Sequence, residues 1–163
     1  MDHMGNNKIV KLIVVVKDIE EAAKHYQKLF KLEETPVVHA PDPNKAPVPP
    51  APGAYRKFHG KTYDAKLKVC IINLEPIYLE IIQPYDDTPS PWLEYLENYG
   101  PGVCFISFYI EGFEQHVDMF EKGGFPMSYV EEKGFERYAY FETQEKLGVG
   151  IELKERIPLE KKQ

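Results

Sequence analysis

The sequence predicts an α+β fold in which two βαβββ modules join into one concave mixed sheet, with helices on its outer face. Two observations carry this. A strand, a helix and then further strands follow one another twice along the chain. Each run also closes on a similar apolar–Glu–apolar strand, Tyr78-Leu79-Glu80-Ile81-Ile82 in the first half and Gly150-Ile151-Glu152-Leu153 in the second. A duplicated unit of this size points to a pseudo-twofold sheet assembly, not to a short-repeat solenoid. The chain reads as one domain over residues 8–163. Module one spans 8–84 and carries a proline-rich insertion at 36–57, a linking helix covers 90–100, and module two spans 102–155.

Each element has its own reason. Residues 8–17 are rich in Ile and Val and read as a strand. Asp18 is placed to cap a helix, and Ile19, Ala22, Ala23, Tyr26 and Phe30 give that helix one apolar face, fading near Leu32. Residues 36–53 hold seven prolines, which remove backbone donors and fix φ, so an extended loop over the protein's own surface is expected there. Residues 55–61 (YRKFHGK) are locally basic and read as a solvated loop able to meet an acidic group. Residues 65–74 and 77–83 form an antiparallel strand pair across Glu75-Pro76. Ser90 and Pro91 then start a short helix with Trp92, Leu93, Leu96 and Tyr99 on its apolar side, ended at Gly100. The pattern restarts with a strand at 103–110 and a helix at 113–122 whose face holds Phe113, Val117 and Phe120. Three strands at 127–131, 136–142 and 148–154 complete it, followed by a charged tail from Arg156 expected to fray.

Composition narrows the function. The chain has 163 residues, 43% hydrophobic and 28% charged, with a formal net charge of -6. An acidic balance without a basic run argues against nucleic acid as a partner, since neutralising phosphates needs a basic face. No apolar stretch reaches the roughly 20 residues of a membrane helix. Residues 1–7 are polar and lack an apolar leader core, and Cys70 and Cys104 each lie inside an apolar strand pattern as reduced core thiols, which together favour a cytoplasmic location. The leading Met-Asp-His-Met-Gly reads as an added extension, so His3 is given no role. There is no phosphate-cradling glycine loop, no zinc-type cysteine cluster and no nucleophile elbow.

Period two decides which side chains share a sheet face. In the first strand Ile9, Lys11, Ile13 and Val15 share one, and in the strand at 103–110 Val103, Phe105, Ser107 and Tyr109 share one. Leu12, Val14, Val16, Cys104, Ile106 and Phe108 on the opposite faces suit burial under helices. The faces bearing Lys11, Phe105, Tyr109, Tyr78, Glu80 and Glu152 are therefore expected to look into a common cup, joined by Tyr138 or Tyr140.

Four segments now resemble a known family: IVKLIVVVKDIEEAA at 9–23, VCIINLEPIYLEIIQP at 69–84, SPWLEYLENYGPGVCFISF at 90–108 and VGIEL at 149–153. They resemble the vicinal-oxygen-chelate superfamily of glyoxalases, bleomycin-resistance proteins and dioxygenases, and within it the methylmalonyl-CoA epimerase-like proteins. The resemblance implies a divalent metal held by one side chain on the first and one on the last strand of each module, usually His and then Glu or Gln. Those four places hold Lys11, Glu80, Phe105 and Glu152. The carboxylates match and the two histidine places do not. Phenylalanine offers no ligand atom, and two carboxylates alone make a weak site for a transition metal. No cofactor is therefore expected, with a divalent metal as the alternative if another histidine, such as His59, replaces a ligand. His39 lies in the proline-rich loop, and His25 and His116 lie on helices.

In place of a metal, the Lys11 ammonium can sit between Glu80 and Glu152 and offset their repulsion. Either this is a salt-bridged filler of the cup, or Lys11 stabilises an enolate while Glu152 or Glu80 acts as general base, with Tyr78, Phe105, Ser107, Tyr109 and Tyr140 lining the substrate. The resemblance thus implies an isomerase or lyase that moves a proton next to the carbonyl of a small carboxylate or acyl thioester. The epimerase-type second base has no match, because the early strand carries Lys66 and Lys68 instead of an acid. The alternative is a metal-free small-ligand-binding protein like the superfamily's drug-binding members. A homodimer is the expected assembly.

Overall fold

Lys11–Val15, dense in β-branched residues that suit a pleated surface, forms β1 near the middle of a single sheet. The computed structural model describes residues 3–45 and 50–157. Among them β1 is followed by α1 (Ile19–Phe30), β2 (Val38–His39), β3 (Tyr55–Phe58), β4 (Leu67–Leu74), β5 (Ile77–Pro84), α2 (Pro91–Tyr99) and β6 (Gly102–Tyr109). Then come α3 (Phe113–Lys122), β7 (Met127–Glu132), β8 (Glu136–Phe141), α4 (Gln144–Leu147) and β9 (Gly150–Arg156).

The strands lie in the order β2-β4-β5-β1-β6-β9-β8-β7-β3. The first half of that order, β2-β4-β5-β1, is repeated in reverse by β7-β8-β9-β6. In each half the opening strand pairs in parallel with the closing strand, β1 with β5 and β6 with β9. The halves meet at the antiparallel pair β1–β6, with Lys11 opposite Ser107 and Ile13 opposite Phe105. This is the two-module α+β architecture that the repeat predicts: an open, mostly antiparallel sheet with four helices.

The two long helices cover one face of the sheet. Asp18 caps α1 by accepting from the Glu21 N–H at 2.9 Å. Ile19 and Ala23 then pack on Cys70, Ile72, Leu79 and Ile81, with Leu12, Val14 and Val16 alongside. Helix α3 buries Phe113 and Phe120 against Ala139, Phe141, Ile151 and Leu153. Its N-cap is Gly112, which has no capping side chain. Glu155 of β9 serves instead, accepting from the N–H groups of Gly112 (2.6 Å) and Phe113 (3.1 Å) while Arg137 holds its other oxygen. Among the described residues no helix is long and apolar enough to cross a membrane.

The other, concave face carries α2, and the edge strand β3 adds one side chain to it. Trp92 of α2 and Phe58 of β3 join Ile13, Val15, Ile82, Phe105, Tyr129 and Tyr140 in one cluster. Cys104 belongs here too, not beneath a helix as strict alternation predicts. The register between β1 and β6 shifts between Ile13 and Val14, which leaves Cys104 as an extra residue, with its thiol directed to the Ile13 carbonyl. Both cysteines are buried and unpaired.

The region around residues 36–61 departs most from expectation. The loop at 36–53 contains the two-residue strand β2, and residues 46–49 lie outside the described set. Residues 55–61 are not a solvated loop: Tyr55–Phe58 pair antiparallel with β7, and Phe58 and Lys61 exchange backbone hydrogen bonds across a His59-Gly60 turn. Only Phe58 of this strand is buried, so its own sequence carries little hydrophobic signal. Since β2 and β3 lie on opposite edges of the sheet, the insertion carries the chain from one edge to the other. Arg156 ends β9 and donates to the Tyr109 hydroxyl at 2.9 Å, and the rest of the expected tail, from residue 158, lies outside the described residues.

Candidate active site

Strand register brings the three charged residues of the cup together. Lys11 on β1, Glu80 on β5 and Glu152 on β9 come from strands joined through β1 and β6, and all three face the concave side. The Lys11 Nζ donates to Glu80 Oε2 at 2.5 Å and lies 3.4 Å from Glu152 Oε1. Ser107, opposite Lys11 and beside Glu152, donates its hydroxyl to Glu152 Oε1 at 2.8 Å. Lys11 is 3% exposed and Glu152 fully buried, whereas the Glu80 side chain keeps 20%.

Burial works against the Lys11 charge, but the carboxylates of Glu152 and Glu80 outweigh it and raise the ammonium pKa. Glu152 is shifted the other way for a carboxylate. Burial raises its pKa, and Lys11 and the Ser107 hydrogen bond offset only part of that. Its second oxygen, Oε2, is buried and accepts no hydrogen bond of good geometry among the described residues, while the hydroxyl of Tyr140, the register partner of Glu152, interacts with the carboxylate and has its own pKa raised by burial and by Glu152. A buried carboxylate with one uncommitted oxygen is costly to leave so, and such groups cluster where chemistry is done.

The aromatic residues divide into two groups. Phe105 and Tyr140 are buried, 4.6 Å apart, in a packed set with Trp92 and Tyr129. Phe105 rests on Gly150, its register partner, where a Cβ would collide with the ring and lie 2.8 Å from the Cys104 carbonyl. Tyr78, Tyr109 and Tyr138 are half-buried on the charged side of the cup. With them stands Lys154, which the sequence reading did not single out. Its ammonium is 3.3 Å from Glu136 and lies over the rings of Tyr109 (5.3 Å) and Tyr138 (5.0 Å). The signal was present: Lys154 is two residues past Glu152, hence on the same sheet face. Tyr138 also donates to Glu136, and burial first, then that carboxylate, raises its hydroxyl pKa.

Away from the charges, Trp92 closes a cavity of about 240 Å³ together with Arg56, Lys57, Phe58, Tyr63 and Tyr129. The Trp92 indole N–H is buried and unpartnered among the described residues.

The four places that the resemblance assigns to metal ligands do not fit a divalent ion. The Lys11 ammonium already lies between the two carboxylates, and Phe105 supplies a hydrocarbon ring. Nor does His59 replace a ligand there. It sits with Glu94 and Glu142, in a cluster separate from Lys11 and Glu80. His25 is exposed beside Glu21, His39 is exposed on β2, and His116 is buried against the carbonyls of Gly112 and Met4. Lys68 points to the helical side and pairs with Glu20 at 2.7 Å.

Comparison with known proteins agrees with this architecture. Solved structures similar to the chain include methylmalonyl-CoA epimerase from Mycobacterium tuberculosis, with 15% identity, a TM-score of 0.57, and 92% of this chain and 88% of that one covered. A variant of Streptomyces coelicolor methylmalonyl-CoA epimerase in complex with 2-nitronate-propionyl-CoA gives 16%, 0.59, 93% and 99%. A methylmalonyl-CoA epimerase in complex with methylmalonyl-CoA and NH4+ gives 16%, 0.58, 92% and 94%. At this identity the likeness is one of fold. A search of curated proteins by sequence finds no match. The sequence model described as the Glyoxalase/Bleomycin resistance protein/Dioxygenase superfamily matches residues 11–141, most of the chain, and the protein belongs to that superfamily.

Proposed function

We propose that this protein is a metal-independent isomerase or lyase that moves a proton next to the carbonyl of an acyl thioester or small carboxylate. The observation that carries the reading is the Glu152 carboxyl: fully buried, its pKa raised by burial, one oxygen free, and an ammonium 3.4 Å from the other. A base that is poorly solvated and partly uncommitted is suited to take a weakly acidic proton. Glu152 Oε2 accepts the α-proton, and the C–H electron pair moves onto the carbonyl oxygen as an enolate. The Lys11 ammonium then stabilises that oxygen by a charge-assisted hydrogen bond, while Glu80 keeps Lys11 in place. Return of the proton from Glu152 to the same face of that carbon gives only exchange; its delivery to another carbon of a conjugated enolate, or to the opposite face once the enolate has turned over, completes an isomerisation, and loss of a β-substituent with its electron pair gives a lyase. The half-buried ring of Tyr78, Tyr109 and Tyr138 is the side from which a substrate would approach.

The thioester class comes from the similar epimerases, whose complexes hold 2-nitronate-propionyl-CoA and methylmalonyl-CoA. The lysine ammonium is, in chemical class, a substituted form of the NH4+ in the second of these. The test is exchange of the α-proton of methylmalonyl-CoA in D2O, followed by proton NMR in the presence of EDTA. Exchange should persist with EDTA and fall about 10²–10⁴-fold in Glu152→Gln. Absence of exchange in the wild-type protein across several acyl thioesters would overturn the proposal.

A second reading rests on a separate observation. The free Trp92 N–H and the three cations Arg56, Lys57 and Lys133 around the 240 Å³ cavity, only one of whose charges Glu131 offsets, suit an anionic small ligand without turnover. A carboxylate that raises the melting temperature without any proton exchange would favour this binding role.

A further inference from the structure

The geometry points to a divalent transition-metal site on the rim of the molecule, formed by His59, Glu94 and Glu142 and independent of the reading of the cup. Three elements distant in sequence converge there: the turn after β3, the helix α2 and the residue that follows β8. One ring nitrogen and one oxygen from each carboxylate all lie within 4.8 Å of one another. His59 Nε2 is 3.3 Å from Glu94 Oε2, and its Nδ1 is 3.6 Å from Glu142 Oε1. Ligand bonds of about 2.0–2.1 Å at tetrahedral angles set donors about 3.3 Å apart; because the two acids face different ring nitrogens, one carboxylate must swing to the nitrogen that the other already faces.

The chemistry suits a borderline ion such as Zn²⁺ or Co²⁺. Imidazole selects against Mg²⁺ and Ca²⁺, the two carboxylates neutralise the ion, and three protein donors leave a position for water. The site opens on a cavity of about 430 Å³ whose walls include Tyr95, Asn98 and Phe105. Its backbone is also particular. His59 at φ 46 and Gly60 at φ 75 form a two-residue turn with both residues left-handed, a place where Asn-Gly is the usual choice. The imidazole here stands where an asparagine would satisfy the backbone, and the turn directs it between two acids. A bound ion would join the β3 turn to α2 and to the end of β8, clasping the wall of the concave face.

The test is calorimetric titration of the EDTA-treated, dialysed full chain with ZnCl2, paired with Co²⁺ absorption spectra. One Zn²⁺ per chain with micromolar affinity is expected. His59→Ala should abolish it, and Glu94→Gln and Glu142→Gln should each weaken it by more than about tenfold. All three side chains are exposed, so circular dichroism of each variant should match the wild type. Glu80→Gln separates the rim from the cup and should leave the titration unchanged. No stoichiometric Zn²⁺ binding, or binding that survives His59→Ala, overturns the proposal and leaves an imidazole hydrogen-bonded to Glu94 with Glu142 3.6 Å away.

Discussion

Two clusters in this molecule place a nitrogenous side chain between a pair of glutamates. In the cup it is the Lys11 ammonium between Glu80 and Glu152, almost wholly buried. On the rim it is the His59 imidazole between Glu94 and Glu142, all three exposed. The pairs share composition but differ in solvent. Inside, the acids cannot shed their repulsion into water, so the cation between them is part of the fold and leaves no room for a second one. Outside, water screens the same charges, the pairing contributes little, and the nitrogen keeps a lone pair that a metal can claim. Burial holds the ammonium of the cup in place, while exposure together with imidazole chemistry leaves the rim open to a metal.

The sharpest way to break this comparison is Lys11→Met. It leaves two carboxylates facing each other in the interior, and unfolding in urea should show a loss of about 3–5 kcal/mol. Converting the whole set, Lys11→Met with Glu80→Gln and Glu152→Gln, should regain most of that loss. A triple variant as unstable as the single one would show that charge balance is not what the lysine supplies.

Next in size is Gly150→Ala, which tests how tightly the Phe105 ring is held. The added methyl collides with Phe105 and crowds the Cys104 carbonyl, at a cost of about 1–3 kcal/mol by the same measurement. Combining it with Phe105→Leu should cost less than the two changes added together.

A pH series sharpens the contrast further. The folded-state pKa of Lys11 is raised above its ordinary 10.5 by the two carboxylates, against the effect of burial. Its contribution is therefore fully present below pH 10.5 and is lost as pH rises through the raised value. The stability gap between wild type and Lys11→Met should hold constant from neutral pH to about 10 and then close. The smallest effect belongs to the rim: without metal, His59→Ala should alter stability by less than about 0.5 kcal/mol.

Much of the fold was legible because sheet periodicity is local. Alternation gave the face of each strand that bears Lys11, Ser107, Glu80 or Glu152, and the resemblance to the superfamily supplied which two acids would face the lysine. What alternation could not supply was the bulge that turns Cys104 inward, since nothing in VCFIS marks an extra residue. Strand β3 stayed hidden because Tyr55, Arg56 and Lys57 remain at least partly in contact with solvent and its partner lies about 70 residues downstream. The rim cluster was illegible for a related reason. His59, Glu94 and Glu142 have no common spacing, and only the docking of three separate elements brings them together. Glu155 shows the same limit in miniature, for it caps a helix that carries no capping side chain of its own.

The pairing of β3 with β7 also bears on the order in which the protein is made. Tyr55–Phe58 leaves the ribosome long before Met127–Glu132, so for several seconds of synthesis the early strand has no partner to bind. The first half can form its own four strands in that interval, but Tyr55–Phe58 stays unpaired and Phe58 uncovered. A contact of such long range closes late, after the nearby strands have paired. Nascent chains stalled before residue 127 should therefore be readily cut by protease between residues 55 and 61, and chains released whole should not.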